Sequence, residues 1–263
     1  MKKYFVIGNP IKHSLSPKLH NFWIKKKKIN ATYDKILATQ DDLPKICDQI
    51  REKKINGLNI TVPFKNDIIR NLDELSLEAK ETQSVNTIYF KDNKIIGHNT
   101  DIIGFKFSIE KVQYDVSKKK ILILGAGGVV PSLIYSLNKM GASKIIVCNR
   151  TKSKAENLKH LFNGIEIVNW GEIPNFDMII NATSIGLKNE DIIDLDFSKV
   201  GNGKFFYDVI YNPAETNFLK IGKKLGNKTE NGKMMFIYQA SASFELWHGI
   251  NVNIDDETIN QIN

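Results

Sequence analysis

The stretch KKKILILGAGGVV, residues 118–130, decides how the rest of the chain is read. ILIL at 121–124 is an unbroken apolar run, the pattern of a strand buried on both faces. GAGG at 125–128 makes a tight turn, and VVPSLIYSLNKM at 129–140 continues with helical periodicity. Gly141 stops that helix, and KIIVCNR at 144–150 starts the next strand. Strand, glycine turn, helix and strand in this order predict a βαβ unit. Gly125 allows the turn, and Gly127 lets backbone approach a pyrophosphate. The amides of the new helix then face that anion along a favourable dipole. Val130 stands where the third glycine of G-x-G-x-x-G would fall, and Pro131 lies in the first helical turn, where a missing amide is tolerated. Glycine alone would fit any tight turn; the strand before it and the helix after it point to a dinucleotide.

The end of the second strand bears on which dinucleotide. An NAD site usually places Asp or Glu there, to accept from the ribose 2′-hydroxyl. This chain has Asn149, Arg150 and Thr151, then Lys152 and Lys154, with no acid until Glu156. Guanidinium and ammonium groups suit a 2′-phosphate, and the expected cofactor is NADP.

Outward from this unit, short strand-like runs alternate with helical ones. Strands are predicted at 4–8, 32–38, 57–62, 86–90 and 94–100, and helices at 20–26, 43–53 and 66–72. Further strands read at 166–168, 177–183 and 205–211, and an apolar helix follows in MFIYQASASFELWHGI, residues 235–250. The fold class is therefore α/β in two domains, an N-terminal substrate domain with a mostly parallel sheet and a C-terminal Rossmann domain. The expected division is 1–102 and 103–235, with helices in 236–263 packing back on the first domain.

The totals narrow the field. The 263 residues carry a net charge of +8, which suits an anionic ligand. No basic stripe interleaved with aromatics suggests a nucleic-acid reader. No run approaches the ~20 apolar residues of a membrane span, and Asn9-Pro10 cuts short the apolar start that mimics a signal peptide. Cys47 and Cys148 form neither a disulfide framework nor a metal spacing, so a reducing compartment, the cytoplasm, is expected, with no metal.

GNPIKHSLSP, NITVPFK, SVNT, GHNTD, GAGG, NRT, NATSIG and QASASFELW occur in that order between residue 8 and about residue 249. This series resembles the shikimate dehydrogenases of the shikimate/quinate dehydrogenase family. The resemblance implies reversible NADPH-dependent reduction of 3-dehydroshikimate to shikimate, within chorismate and aromatic amino-acid biosynthesis. It implies Lys65 and Asp101 as the catalytic pair, either of which could move the proton, with Lys65 favoured. Ser14 and Ser16 match a clamp on the substrate carboxylate; locally, Ser16 also suits the N-cap of a helix with Pro17 at its first position. Thr61, Asn86 and Gln239 match contacts to ring hydroxyls and the reacting oxygen, and Tyr211 a further substrate contact. Asp101 also suits an N-cap of the helix that follows it.

On the cofactor side, Gly125, Ala126, Gly127, Gly128 and Val129 match the phosphate loop. Asn149, Arg150, Thr151 and Lys154 match the 2′-phosphate pocket. Thr183, Ser184 and Gly186 match the cofactor path, and Ile210, Gly232 and Met235 the nicotinamide end. Asn231-Gly232-Lys233-Met234-Met235 departs from the family's Asp-Gly-x-Gly-Met at Asn231 and Met234. The alternative within the family is a dehydrogenase that accepts quinate or NAD. The expected partner is a small molecule, with no nucleic acid or membrane, on a monomer or homodimer.

Overall fold

In the computed structural model, which describes residues 1–262, the N-terminal alternation builds a six-stranded sheet. Its elements are β1 (Lys2–Gly8), α1 (Ser16–Lys26), β2 (Ala31–Leu37), α2 (Leu43–Arg51), β3 (Gly57–Ile60), β4 (Glu74–Leu75), α3 (Leu77–Thr82), β5 (Thr87–Lys91) and β6 (Lys94–His98). The strand order is β2-β1-β3-β5-β6-β4. β1 pairs parallel with β2 and β3, and β4 parallel with β6, whereas β5 runs antiparallel to both neighbours. β3 is buried at every residue, as an interior strand must be, and the edge strand β2 is mostly exposed or half-buried. The β5–β6 turn uses Asp92 and Asn93 at φ of 51° and 60°, the left-handed pair a two-residue hairpin requires.

The helix expected at 66–72 is instead a short 3-10 turn, Asp67–Asn71. Ile69 and Leu72 donate to carbonyls three residues back, and Asp73 is tied to Ile95 from both its carboxylate and its amide. Bonds to the third residue back wind this segment as a tight turn between Pro63 and that anchor.

After α4 (Asp101–Lys111), the chain forms β7 (Lys120–Leu124), α5 (Val130–Lys139), β8 (Lys144–Cys148), α6 (Lys152–Glu156), β9 (Glu166–Val168), β10 (Met178–Asn181), β11 (Phe205–Asp208), α7 (Asn217–Lys224) and β12 (Lys228–Glu230). These strands make a wholly parallel sheet in the order β12-β11-β10-β7-β8-β9. That is the doubly wound order, whose direction reverses between β7 and β10. Alternate residues of each strand enter opposite cores: Ile121 and Ile123 pack with Leu133, Leu137 and Val147, while Leu122 and Leu124 pack with Ile146, Phe206 and Phe218. This two-sided burial is why ILIL has no polar residue.

The last helices are α8 (Lys233–His248) and α9 (Asp256–Ile259). The chain divides into two compact units, one of residues Met1–Gly104 with Ile237 onward, the other Phe105–Phe236. In the first unit the Trp247 indole donates to the Ile88 carbonyl at 2.9 Å, so α8 is pinned to β5. Both cysteines are buried and free. No helix among the described residues is long and apolar enough to cross a membrane.

Candidate active site and cofactor loops

In the first unit, four chain segments meet at one edge of the sheet, where strands end or begin. β1 and β3 are parallel and end together: the Asn9 amide donates to the Val62 carbonyl and the Thr61 amide to the Ile7 carbonyl, both at 2.9 Å. β5 begins there because it runs the other way, so Asn86 sits next to the end of β3, its carbonyl accepting from the Ile60 amide at 2.8 Å. β6 ends at the same edge and passes through Asn99 and Thr100 into α4.

The Lys65 ammonium there bonds Asp101 Oδ2, with both side chains nearly buried. Asn86 Nδ2 donates to the other oxygen, Asp101 Oδ1, at 2.9 Å, to Thr100 Oγ1 at 2.9 Å and to Gln239 Oε1 at 3.3 Å. Asn86 cannot turn its amide over, because its Oδ1 accepts from the Thr100 amide at 2.7 Å. The result is a cation held by a carboxylate whose second oxygen is already engaged. Such a cation can donate a proton to a developing oxyanion while the carboxylate fixes its direction. α4 begins at Asp101 itself, whose carboxylate bonds Lys65 and Asn86 and whose amide donates to Asn99 Oδ1 at 3.1 Å.

Ser14 and Ser16 lie just beyond β1. Ser14 is half-buried, and its hydroxyl accepts from the Ser16 amide at 3.4 Å. The local expectation for Ser16 fails: α1 begins at Ser16 itself, Leu15 is the N-cap, and no side chain caps it. Ser16 is buried and its hydroxyl faces the Tyr33 phenol. Thr61 is half-buried at the turn after β3. Seven predicted substrate residues thus stand in the first unit, six on the segments around this edge and Gln239 on α8, while Tyr211 belongs to the second, stacked on Phe236 at 4.5 Å.

Sequence reasoning missed the support beneath the pair. Tyr33 donates to Asn59 Oδ1 at 2.7 Å, and Asn59 Nδ2 donates to the Asn86 carbonyl, Thr87 Oγ1 and Ser243 Oγ, each at 3.0 Å. The available signal was a polar Asn59 inside an otherwise apolar interior strand, a placement that requires partners.

In the second unit, the phosphate-loop residues follow β7 at the reversal point. Gly125 has φ of 111°, and a Cβ there would sit 2.8 Å from the Ala182 carbonyl oxygen, so only glycine serves. Gly127 is exposed with open space beside it, and Ala126, Gly128 and Val129 are half-buried around it. Arg150, Thr151 and Lys154 are exposed after β8, and Asn149 Nδ2 donates to the Thr151 carbonyl at 2.8 Å. An open glycine turn, two exposed cations and no carboxylate at the end of β8 fit a dinucleotide carrying a 2′-phosphate. Thr183 and Ser184 follow β10, Gly186 at φ of 120° lies against Ile210, and Gly232 approaches Val209 so closely that a Cβ would meet its carbonyl oxygen at 2.1 Å. Met234 and Met235 are both buried. Among the described residues, no group of three His, Cys, Asp or Glu could hold a metal.

Fold and sites together define a two-unit α/β oxidoreductase with a doubly wound nucleotide-binding unit. The chain matches the shikimate dehydrogenase substrate-binding domain over residues 6–88 and the shikimate/quinate 5-dehydrogenase domain over 108–209. It is 63% identical over 261 residues, 99% of this chain and 98% of the other, to the NADP(+) shikimate dehydrogenase of Pelagibacter ubique. The crystal structure of shikimate dehydrogenase from Aquifex aeolicus superposes with a TM-score of 0.92 at 38% identity, covering 100% of this chain and 97% of that one. That of the Thermus thermophilus enzyme with NADP(H) and shikimate gives 0.90 at 28%, covering 100% and 98%. The chain belongs to the shikimate dehydrogenase family.

Proposed function

We infer that this chain catalyses the reversible NADPH-dependent reduction of 3-dehydroshikimate to shikimate, a step towards chorismate and the aromatic amino acids. The observation that carries the reading is the buried Lys65–Asp101 pair with Asn86 on its second oxygen, in a chain that also has a doubly wound unit. NADPH, when bound, supplies the hydride to the ketone carbon. Lys65 then gives a proton to the ketone oxygen and steadies the charge as it forms, and Asp101 holds Lys65 in line. Ser14 and Ser16 donate to the substrate carboxylate, Thr61, Asn86 and Gln239 contact its ring hydroxyls and the oxygen at the reacting carbon, and Tyr211 makes a further substrate contact. Arg150 and Lys154, with Asn149 and Thr151, receive the 2′-phosphate, and Gly125 to Val129 the pyrophosphate. Thr183, Ser184, Gly186, Ile210, Gly232 and Met235 line the remaining path. The enzyme works in the cytoplasm as a monomer or homodimer.

The test is the appearance of NADPH absorbance when the protein is given NADP+ and shikimate. Quinate in place of shikimate, and NAD+ in place of NADP+, should each give a markedly lower kcat/KM. No signal with shikimate rejects the activity, and a preference for NAD+ rejects the part given to Arg150.

A further inference from the structure

Asp208, at the end of β11, is a carboxylate with no solvent exposure. No Lys or Arg among the described residues pairs with it. What it has is donors. Oδ1 accepts from the Ile210 amide at 3.0 Å, Oδ2 from the Thr216 hydroxyl at 2.6 Å, and both from Asn181 Nδ2 at 3.1 Å. A buried carboxylate without a counterion is costly, and an Asn would suit the fold better unless an all-acceptor group were needed. Here every contact donates, so only the ionised acid satisfies them all.

The donors come from two segments, Asn181 at the end of β10 and Ile210 and Thr216 in the loop after β11. Asn181 is the strand partner of Asp208, and it also shapes its own loop. Its Oδ1 accepts from the Thr183 hydroxyl at 2.7 Å and amide at 3.1 Å, and its Nδ2 reaches the Ile185 carbonyl at 3.0 Å. Ile210 and Thr216 belong to the other loop, and both lie within 3.2 Å of where a Cβ on Gly186 would stand. One carboxylate therefore ties Thr183–Gly186 to Ile210–Thr216, which carry the residues assigned above to the cofactor path and the nicotinamide end.

We propose that Asp208 is a positioning residue for NADP(H), whose ionised carboxylate locks these two loops in the binding geometry. The inference rests on the cofactor reading above. Burial pushes the Asp208 carboxyl up to about 6, with its hydrogen bonds opposing that rise. The acid thus takes up its proton near neutrality, and the lock loosens on the acid side. The other titratable groups of the surrounding elements include Tyr207 beside it, Tyr211 in the Ile210–Thr216 loop, Lys228 and Glu230 of β12, the latter raised by burial, the exposed Lys188 and Glu190, and Asp191, lowered by the Gly186 and Lys188 amides. Glu215, Lys220, Lys223 and Lys224 are exposed. None of these bonds Asp208.

The experiment is NADPH binding by calorimetry to the full chain and to Asp208→Asn, between about pH 5 and about pH 8. The cofactor's own phosphate titrates in this range, so the ratio of the two dissociation constants is read. At about pH 8 the variant should bind about tenfold more weakly, the loss of one charge-assisted hydrogen bond. The ratio should shrink towards one as pH falls through about 6. Hydrogen exchange at the 183–186 and 210 amides should quicken in the variant, with the KM for shikimate little changed. A ratio near one at about pH 8, or one that does not move with pH, overturns the proposal. If Asp208→Asn does not fold, Thr216→Val should weaken NADPH binding and Thr216→Ser restore it; equal binding by the two overturns it. A wild-type chain that does not bind NADPH at all would instead reject the cofactor reading.

Discussion

His20 is enclosed by rings, stacked on Tyr33 at 4.2 Å and flanked by Trp23, Phe244 and Trp247. Neither ring nitrogen has a hydrogen-bond partner. Burial, with His248 nearby, lowers its pKa to about 3 from the ordinary 6.5. The unfolded chain therefore takes up this proton at a pH where the folded one refuses it. The stability His20 allows is whole above about 6.5 and is lost as pH falls towards 3, at up to about 1.4 kcal/mol per pH unit. His20→Phe keeps the packing and removes the orphaned donor. Its melting temperature should equal or exceed wild type at about pH 8 and exceed it clearly at about pH 5; parallel acid profiles would refute the assignment. At Lys65, replacement by Ala should lower kcat by roughly 10²–10⁴ while the KM for shikimate moves modestly. It also strands a buried Asp101. Adding Asp101→Asn should restore the melting temperature without restoring turnover, and a single mutant with near wild-type kcat would remove Lys65 from the mechanism. Ser14→Ala should raise the KM for shikimate before it affects NADP+.

At the scale of elements, the turn after β8 carries the cofactor choice. Arg150→Ala should raise the KM for NADP+ by roughly 10–100-fold and leave that for NAD+ nearly unchanged, since only the 2′-phosphate loses a charge-assisted partner. Equal losses for both would make Arg150 a general contact. How well each element can be read from sequence follows its periodicity. β7, β8 and β10 are legible because parallel strands buried on two faces are apolar without interruption. The Lys65–Asp101 pair is legible only through the family's motifs, since one lysine among 37 basic residues has no local signature. β4, β12 and α3 give no signal; at two, three and six residues, and with few apolar side chains among them, they show no period. Asn59 and Ser243 lie 184 residues apart, and no local pattern announces a bond across that distance. Asp208 is equally hidden, because its donors come from three separate positions in the chain.

Over the whole molecule, the two units should respond unequally to the cofactor. NADPH at about 100 times its dissociation constant stabilises the state that binds it by about 2.7 kcal/mol. Slowed hydrogen exchange is expected at β7 and β10, which hold the glycine turn and the loop facing it, and much less at β1 and β3. Uniform slowing would show that both sheets open together. Trp247 and Gly57 carry a different consequence. A Cβ on Gly57 would stand 2.4 Å from the Trp247 indole nitrogen, so this indole lies directly on β3. Ser243, one turn earlier on α8, bonds Asn59 of the same strand. The unit that leaves the ribosome first is therefore finished last. Residues 1–104 must wait, with β3 and β5 bare of α8, until the intervening Phe105–Phe236 segment has been made. That segment is continuous and can close its own core during synthesis. A released chain ending at Phe236 should already bind NADPH yet leave its N-terminal strands open to protease.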